Sequence, residues 1–285
     1  MPEPIVTKIR KLGQDKRRTI EKSEKRLRAA LRRLQMRINA FLSKEVINGL
    51  TLDKDGKIQS STNNSRRLQG VQRLQRYINN EIDKEIRKVL NTEFTRIKNA
   101  TDKYFKEFGP NQKIRMRVNK LHRRLIAQFK RRVVSRISLS AQIGAILSKG
   151  IREEATPSEL NQDVRAFVEG KAQLGALEHF FWKEDGLEQF QVHARAISES
   201  YSKALDLDYA IYAGGEIKTT RDFCDERNGN VYTREEIAEW NNLEWQGKKK
   251  DHRIFIDCGG YNCRHDYDWI SKQLAVRLRP ELAAD

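Results

Sequence analysis

Leu27-Arg28-Ala29-Ala30-Leu31-Arg32-Arg33-Leu34-Gln35-Met36-Arg37-Ile38-Asn39-Ala40-Phe41 decides the architecture of the first half of this chain. Leu27, Leu31, Leu34, Ile38 and Phe41 recur at intervals of 4, 3, 4 and 3, the heptad seam of an amphipathic helix, while Arg28, Arg32, Arg33 and Arg37 occupy its other faces. Outward from this stretch the pattern predicts one helix over 16–48, closed by Gly49. Residues 51–64 lose the period: Asp55-Gly56 signals a turn, and the polar run 60–65 offers a cap for the next helix.

That second helix is predicted over 66–108 by the stripe Val71, Leu74, Ile78, Ile82, Ile86, Leu90, Phe94 and Ile97, with Gly109-Pro110 as its stop. At 1.5 Å per residue it would span roughly 65 Å. A third helix is predicted over 113–148, with Val118, Leu121, Leu125, Ile126, Phe129, Val133, Val134 and Ile137 on its apolar face. After Gly150 the character changes. Thr156-Pro157-Ser158-Glu159 reads as a capping box with proline at the first helical position. Helices follow over 157–175 and 186–213, the latter stopped by Gly214-Gly215. The remainder, 216–275, reads as short strands, turns and short helices, with a second capping box at Thr233-Arg234-Glu235-Glu236 opening a helix through Trp240. The expected fold is mainly α: long amphipathic, coiled-coil-like helices followed by a small α+β C-terminal domain. The expected division is a basic helical arm at 1–150, a helical connecting region at 151–215 and a Cys/His-containing domain at 216–285.

Charge is distributed unevenly. Of the net +17, residues 1–150 carry 38 Lys/Arg against 13 Asp/Glu, and residues 151–285 carry 18 against 26. Within 113–136 there are ten basic residues and no acid. A surface that only confers solubility mixes both signs, so a helix this positive points to a polyanion beside it. Duplex DNA is the first candidate, since each neutralised phosphate releases counterions. The candidate contacts are Arg28, Arg32, Arg33, Arg37, Lys113, Arg115, Arg117, Lys120, Arg123, Arg124, Lys130, Arg131, Arg132 and Arg136. With no base-reading motif present, binding is expected to be non-specific. An anionic membrane surface or an acidic protein partner would read similarly. The bland alternative is that the seams bury one another in a hairpin or bundle and the basic faces are solvated; the same seams allow self-association. No apolar run approaches the length needed to span a bilayer, and no secretory pattern follows Met1, so synthesis and folding in cytoplasm are expected.

Three cysteines, Cys224, Cys258 and Cys263, lie in the last quarter. An odd count in a reducing compartment argues against a disulfide framework. Cys258 and Cys263 are separated by four residues and His265 follows two later. Together with Cys224 they make four ligands, enough for tetrahedral zinc, with His252 a competing fourth. Alternatively Cys224 and Cys263 pack side by side as small buried hydrophobes, or pair under oxidising conditions. Catalysis is the third reading: Cys263 with His265, or Cys224 with His252, as nucleophile and base, or His265 with Asp222 or Asp266 in a nuclease. No oxyanion or phosphate-binding loop signature accompanies them, and the expectation is a non-enzymatic protein. Arg221 and Arg264 are expected to make salt bridges or cap carbonyls. Trp240, Trp245, Tyr261, Tyr267 and Trp269, with the cluster Phe180-Phe181-Trp182, are expected to form the small domain's core, or in part to anchor a partner. Asn228-Gly229 and Gly259-Gly260 read as turns needing positive φ.

Thr220-Arg221-Asp222-Phe223-Cys224, Asn228-Gly229-Asn230-Val231-Tyr232 and Asn262-Cys263-Arg264-His265 together resemble the C-terminal domain of the phage Mu F-like minor head proteins, the phage head morphogenesis family. The resemblance extends upstream to about residue 140 and covers roughly half the chain. His265 stands where that family commonly has a second cysteine. The resemblance implies a structural minor head protein of a tailed bacteriophage, incorporated during head assembly near the portal, contacting portal or other head proteins and the packaged double-stranded DNA, and located in the virion.

Overall fold

The computed structural model describes residues 5–64, 71–132, 139–170, 188–215 and 217–283. The predicted helix start at 66, the cap residue Ser65, the apolar residues Val133, Val134 and Ile137, the cluster Phe180-Phe181-Trp182 and the candidate contact Arg136 fall outside them, as do the side chains of Val71 and Arg132. Helices α1 (Ile5–Glu45), α2 (Val71–Glu81), α3 (Lys88–Phe105), α4 (Gln112–Arg132), α5 (Ser140–Arg152), α6 (Pro157–Glu169) and α7 (Gln189–Ala204) are followed by a small mixed region. That region holds strands β1 (Tyr209–Ala213), β2 (Val231–Thr233) and β3 (Asp266–Ile270), with short helices α8 (Asp222–Asp225), α9 (Arg234–Glu239), α10 (Ile254–Asp257) and α11 (Lys272–Leu278). The mainly helical fold with a small C-terminal sheet is as expected from the sequence.

The compact units do not follow the linear division into arm, connector and C-terminal domain. One unit comprises Met1–Glu24, Glu93–Gln128 and Leu187–Asp285, and the other Lys25–Thr92 and Phe129–Gly186. Helices α1, α3 and α4 therefore each contribute to both. The physical reason is that the apolar seams do not stop at the expected boundaries, so the first turns of α1 share a core with the C-terminal strands.

In the second unit the predicted seams are buried: Leu27, Leu31, Leu34 and Ile38 on α1, and Leu74, Ile78, Ile82, Ile86 and Leu90 along α2, the π-helical turn Ile82–Arg87 and α3. Arg33 meets Glu85 at 2.8 Å, Arg37 meets Glu81 at 3.1 Å, and Phe41 stacks on Tyr77 with centroids 4.1 Å apart. The paired numbers fall as their partners rise, which is the register of an antiparallel helix hairpin. The Asp55-Gly56 turn is present, with Gly56 at φ 77 and a bridge between Leu52 and Ile58. Helix α6 begins at the expected capping box: Thr156 Oγ1 accepts from the Glu159 amide, and the Glu159 carboxylate accepts from the Thr156 amide.

In the first unit the sheet order is β2-β1-β3, antiparallel throughout, with Tyr209 opposite Thr233 and Ile270, and Ala213 opposite Asp266. The predicted helix 186–213 is thus corrected: α7 ends at Ala204, Asp206 takes a positive φ of 50, and Tyr209–Ala213 form the central strand. Ala210, Ile211 and Tyr212 are buried in succession, and such a continuous apolar run does not distinguish strand from helix. The expected helix over 16–48 also begins earlier, at Ile5. Its inward positions Ile9, Leu12, Lys16, Ile20 and Ser23 are all buried and continue the seam N-terminally.

Lys16 is the exceptional member. Its side chain is fully buried, with Nζ 3.0 Å from Asp266 and 3.4 Å from Asp268, and Arg17 reaches Asp268 at 2.7 Å. Tyr104 of α3 donates to the Trp269 carbonyl at 2.7 Å. Gly13 leaves the necessary space, because a Cβ there would lie 2.1 Å from Asp268 Oδ2. Two cations and two carboxylates thereby tie α1 to β3. On α4 and α7, His122 Nδ1 and His193 Nε2 share a hydrogen bond of 3.0 Å, and His193 packs on Phe94. Burial, with His122 and Lys98 nearby, pushes the His193 pKa down to about 3.

Removing one partner from a buried ion cluster leaves its counter-charge stranded. Lys16→Met is therefore expected to destabilise the chain by about 3 kcal/mol or more in urea unfolding; a loss within error of zero would contradict the assignment. Below about pH 6.5 unfolded His193 takes up a proton that the folded chain refuses, so its contribution to stability falls as pH drops from there toward 3, by up to about 1.4 kcal/mol per unit. His193→Gln should flatten the pH dependence of the urea midpoint over that window, and an unchanged slope would contradict it.

Candidate functional site

All three elements that carry the sequence resemblance lie in the first unit, and two of them, 220–224 and 262–265, meet in a buried cluster, while 228–232 forms a turn and enters β2 beside β1. Helix α8 delivers Cys224. The turn after α10 delivers Cys258, and the segment entering β3 delivers Cys263 and His265. All three thiols are free and buried, and His265 is buried with them. Sγ of Cys224 lies 4.0 Å from Sγ of Cys263, which lies 4.0 Å from His265 Nδ1. Ligand atoms of Cys224, Cys263 and His265 all fall within 4.8 Å of one another, a buried group that can hold a metal ion. Ligand–ligand edges in tetrahedral zinc sites follow from bonds of about 2.3 Å to sulfur and 2.0–2.1 Å to nitrogen, and the Cys224–Cys263 and Cys263–His265 separations of 4.0 Å exceed such edges by only a few tenths of an ångström.

Of the four expected ligands, the structure brings three together. Cys258 is outside that triplet, although its thiol interacts with Cys263 and with the Tyr267 hydroxyl. His252 packs edge-on against Trp245 with centroids 5.0 Å apart and does not join the triplet. Cys224 and Cys263 do sit side by side, as the packing alternative expected.

The surroundings explain the geometry. Tyr212 of β1 donates to Cys224 Sγ at 3.2 Å and stacks on the His265 ring, centroids 5.1 Å apart. Gly214 follows β1 against that ring: a Cβ there would meet His265 carbons at 2.5 Å. Gly259 matters for the same reason, since a Cβ would lie 2.3 Å from Cys224 Sγ and 3.0 Å from Cys263 Sγ. The expected positive φ is present at Gly229 and Gly260, and Cys258 and Asn262 take it as well. Hydrogen bonds from Cys224 and Cys258 drive the Cys263 thiol well below the ordinary thiol range. Bonding to Cys263 and burial drive Cys224 up, and burial with the same bonding does so for Cys258. Arg221 donates to the Tyr261 carbonyl at 2.6 Å and Arg264 approaches Glu24 at 4.0 Å, the capping and bridging roles expected of them. Tyr267, Trp269 and Trp240 are core, Trp245 packs partly buried against it, and Tyr261 is exposed.

Sequence reasoning missed Arg195 on α7. It is 1% exposed and donates to the carbonyls of Ile256, Cys263 and His265. A lone arginine among Ala194, Ile197, Ser198 and Tyr201 on a buried helix face was its only signal.

The candidate polyanion contacts divide. On α1, Arg33 and Arg37 are paired with Glu81 and Glu85, and Arg28 and Arg32 also have partners within the chain. Their face is not unopposed, because the hairpin brings acids from the second helix beside it. On α4, Lys113, Arg115, Arg117, Lys120, Arg123 and Arg124 are exposed. Arg115 bonds the Pro110 carbonyl; the other five form no ion pair with a described residue. Lys113, Arg117, Lys120 and Arg124 follow one another at 4, 3 and 4 residues and line one face over about 16 Å. Lys130 and Arg131 are engaged within the chain. No helix among the described residues is long and apolar enough to cross a membrane.

Gly259→Ala forces a methyl group into contact with two thiols, so it should cost about 1–3 kcal/mol in urea unfolding; wild-type stability would contradict the packing described.

The chain matches no family model, no curated protein and no solved structure.

Proposed function

We propose that this chain is a structural minor head protein of a tailed bacteriophage, a virion component made in the host cytoplasm, that touches the packaged duplex DNA through α4 and docks to portal or other head proteins. The observation that carries the DNA part is the exposed row Lys113, Arg117, Lys120 and Arg124, flanked by Arg123, with no acid on the same helix. Phosphates are spaced closely enough along a duplex for such a row to engage several at once. Contacts of this kind position a protein without reading sequence. The phage assignment is supported by two of the three motif elements, 220–224 and 262–265, meeting in one buried cluster. We further propose that the cluster is a structural zinc site with Cys224, Cys263 and His265 as ligands. Soft thiol and imidazole donors suit zinc, and His265 Nε2 is a buried nitrogen without a hydrogen-bond partner. A closed, buried ligand set of this kind supports folding, not turnover, and the reading is accordingly non-enzymatic.

Binding of the intact chain to a random-sequence 30-base-pair duplex tests the DNA part. Neutralising about five phosphates predicts a loss of roughly 500-fold in affinity between 50 and 200 mM salt. Reversing charge at Lys113, Arg117, Lys120 and Arg124 should abolish binding, while Arg33→Gln with Arg37→Gln should leave it nearly intact. Absent or salt-insensitive binding would overturn it, and co-purification with the portal without any gel shift would assign the basic face to an acidic protein.

A further inference from the structure

We propose that a cleft beside α8 is the docking site for an extended, apolar segment of a protein partner, flanked by acidic residues. The inference deepens the docking part of the function proposed above and rests on it for the partner's place in the particle; what it adds is the surface and the chemistry of the segment. Residues 219–223 and 245–247 line the cleft, and its cavity of about 630 Å³ lies in the range of ligand-binding pockets.

Among the described residues, seven large apolar side chains are exposed, and three of them, Ile217, Leu243 and Tyr261, adjoin the residues that line this one cleft. Local bonds fix their places. The Ile217 amide donates to Thr220 Oγ1 at 2.8 Å, the Tyr261 amide donates to the Gly247 carbonyl at 2.9 Å, and the Leu243 carbonyl accepts from Lys248 Nζ at 2.6 Å. Exposed apolar side chains scattered singly are ordinary, but a group of them around a cavity marks an interaction site. Trp245 supplies an aromatic wall. Its ring stacks on Phe223 with centroids 4.0 Å apart, its indole N–H donates to the Gly259 carbonyl at 3.0 Å, and the side chain stays partly exposed. A tryptophan already held in place loses little freedom when a partner covers it.

The polar lining selects the occupant. Arg221 spends one terminal nitrogen on the Tyr261 carbonyl at 2.6 Å and forms no ion pair with a described residue. Asp222 stands next to it, so the lining carries one cation and one anion and does not suit a polyanion such as DNA. Thr219, Thr220 and Gln246 bring groups that both donate and accept. Donors and acceptors side by side match the N–H and C=O groups of a peptide backbone. Those groups are free in an extended segment and already used within a helix. The occupant is therefore extended, and its side chains meet Ile217, Leu243, Tyr261 and Trp245. Its flanks are acidic because Lys218 and Lys250, a few residues from the lining, are exposed and form no ion pair with a described residue.

Fluorescence anisotropy with the intact chain and three labelled peptides of roughly 12 residues, long enough to cross the cleft when extended, tests the site. One peptide alternates leucine and serine between glutamate ends, the second has the same centre between lysine ends, and the third keeps the glutamate ends with serine in place of leucine. The first is expected to bind at least about 10-fold tighter than either of the others; equal affinities, or no binding, would overturn the proposal. Ile217→Ser with Leu243→Ser, both at exposed positions, should weaken that binding about 10-fold or more, and wild-type affinity in this variant would contradict the apolar contacts. Amide shifts in the NMR spectrum of the chain bound to the first peptide are expected over 217–222, 243–247 and 261, a readout that needs no variant. Shifts along 112–132 in their place would give the peptide to the basic helix and sink the cleft. Self-association of the chain that the double substitution abolishes would assign the patch to a second copy and equally overturn a partner segment. A chain that binds the peptide as described but is absent from phage heads would overturn the particle assignment alone.

Discussion

Lys16, held between Asp266 and Asp268 with no exposure to solvent, is the contact on which the rest of the first unit depends. An ammonium group cannot be buried unless carboxylates meet it, and the two that do stand on the last strand of the sheet, some 250 residues away along the chain. Once they are joined, the first turns of α1 must lie on β3. Ile9 and Leu12 then enter the core that contains Tyr267 and Trp269. Gly13 is the steric complement of this contact, and Arg17 completes its charge balance.

This constraint also orders the chemistry. β3 is anchored by α1 through Asp266 and Asp268, and the segment entering it carries Cys263 and His265. Arg195 holds the carbonyls of those two residues from the other direction, on α7. The thiol cluster is therefore positioned by segments from both ends of the sequence. A fold whose core needs residues 5–24 and 266–270 together cannot be completed until nearly the whole chain is available, and contacts of such sequence separation are expected to form late. The basic face of α4 is borne by the same unit, so its placement is inherited from this core and not from a free-standing arm.

Much of the helical architecture was legible from the spacing of apolar residues, and both capping boxes were legible from their side-chain chemistry. The seam was lost at Lys16 and Ser23 because a polar residue in an inward slot breaks the apolar count, although the helix continues through both. β1 was hidden because burial on both faces erases the alternation that marks a strand. Cys224, Cys263 and His265 were visible as a set, since few residue types do their chemistry. Arg195 was not, because nothing local distinguishes an arginine that caps buried carbonyls from one that faces water. The unopposed charge of α1 was over-read for a related reason: the acids that answer it, Glu81 and Glu85, lie on another helix and meet it only after the hairpin has formed.

Hydrogen exchange in the native state tests most directly whether the N-terminal helix belongs to the C-terminal core. The account predicts that amides in the first turns of α1, through Ser23, and those of β1 and β3 exchange together, with the slow rate of global unfolding. Rapid exchange over residues 5–24 while the sheet stays protected would show a solvated helical arm and contradict it.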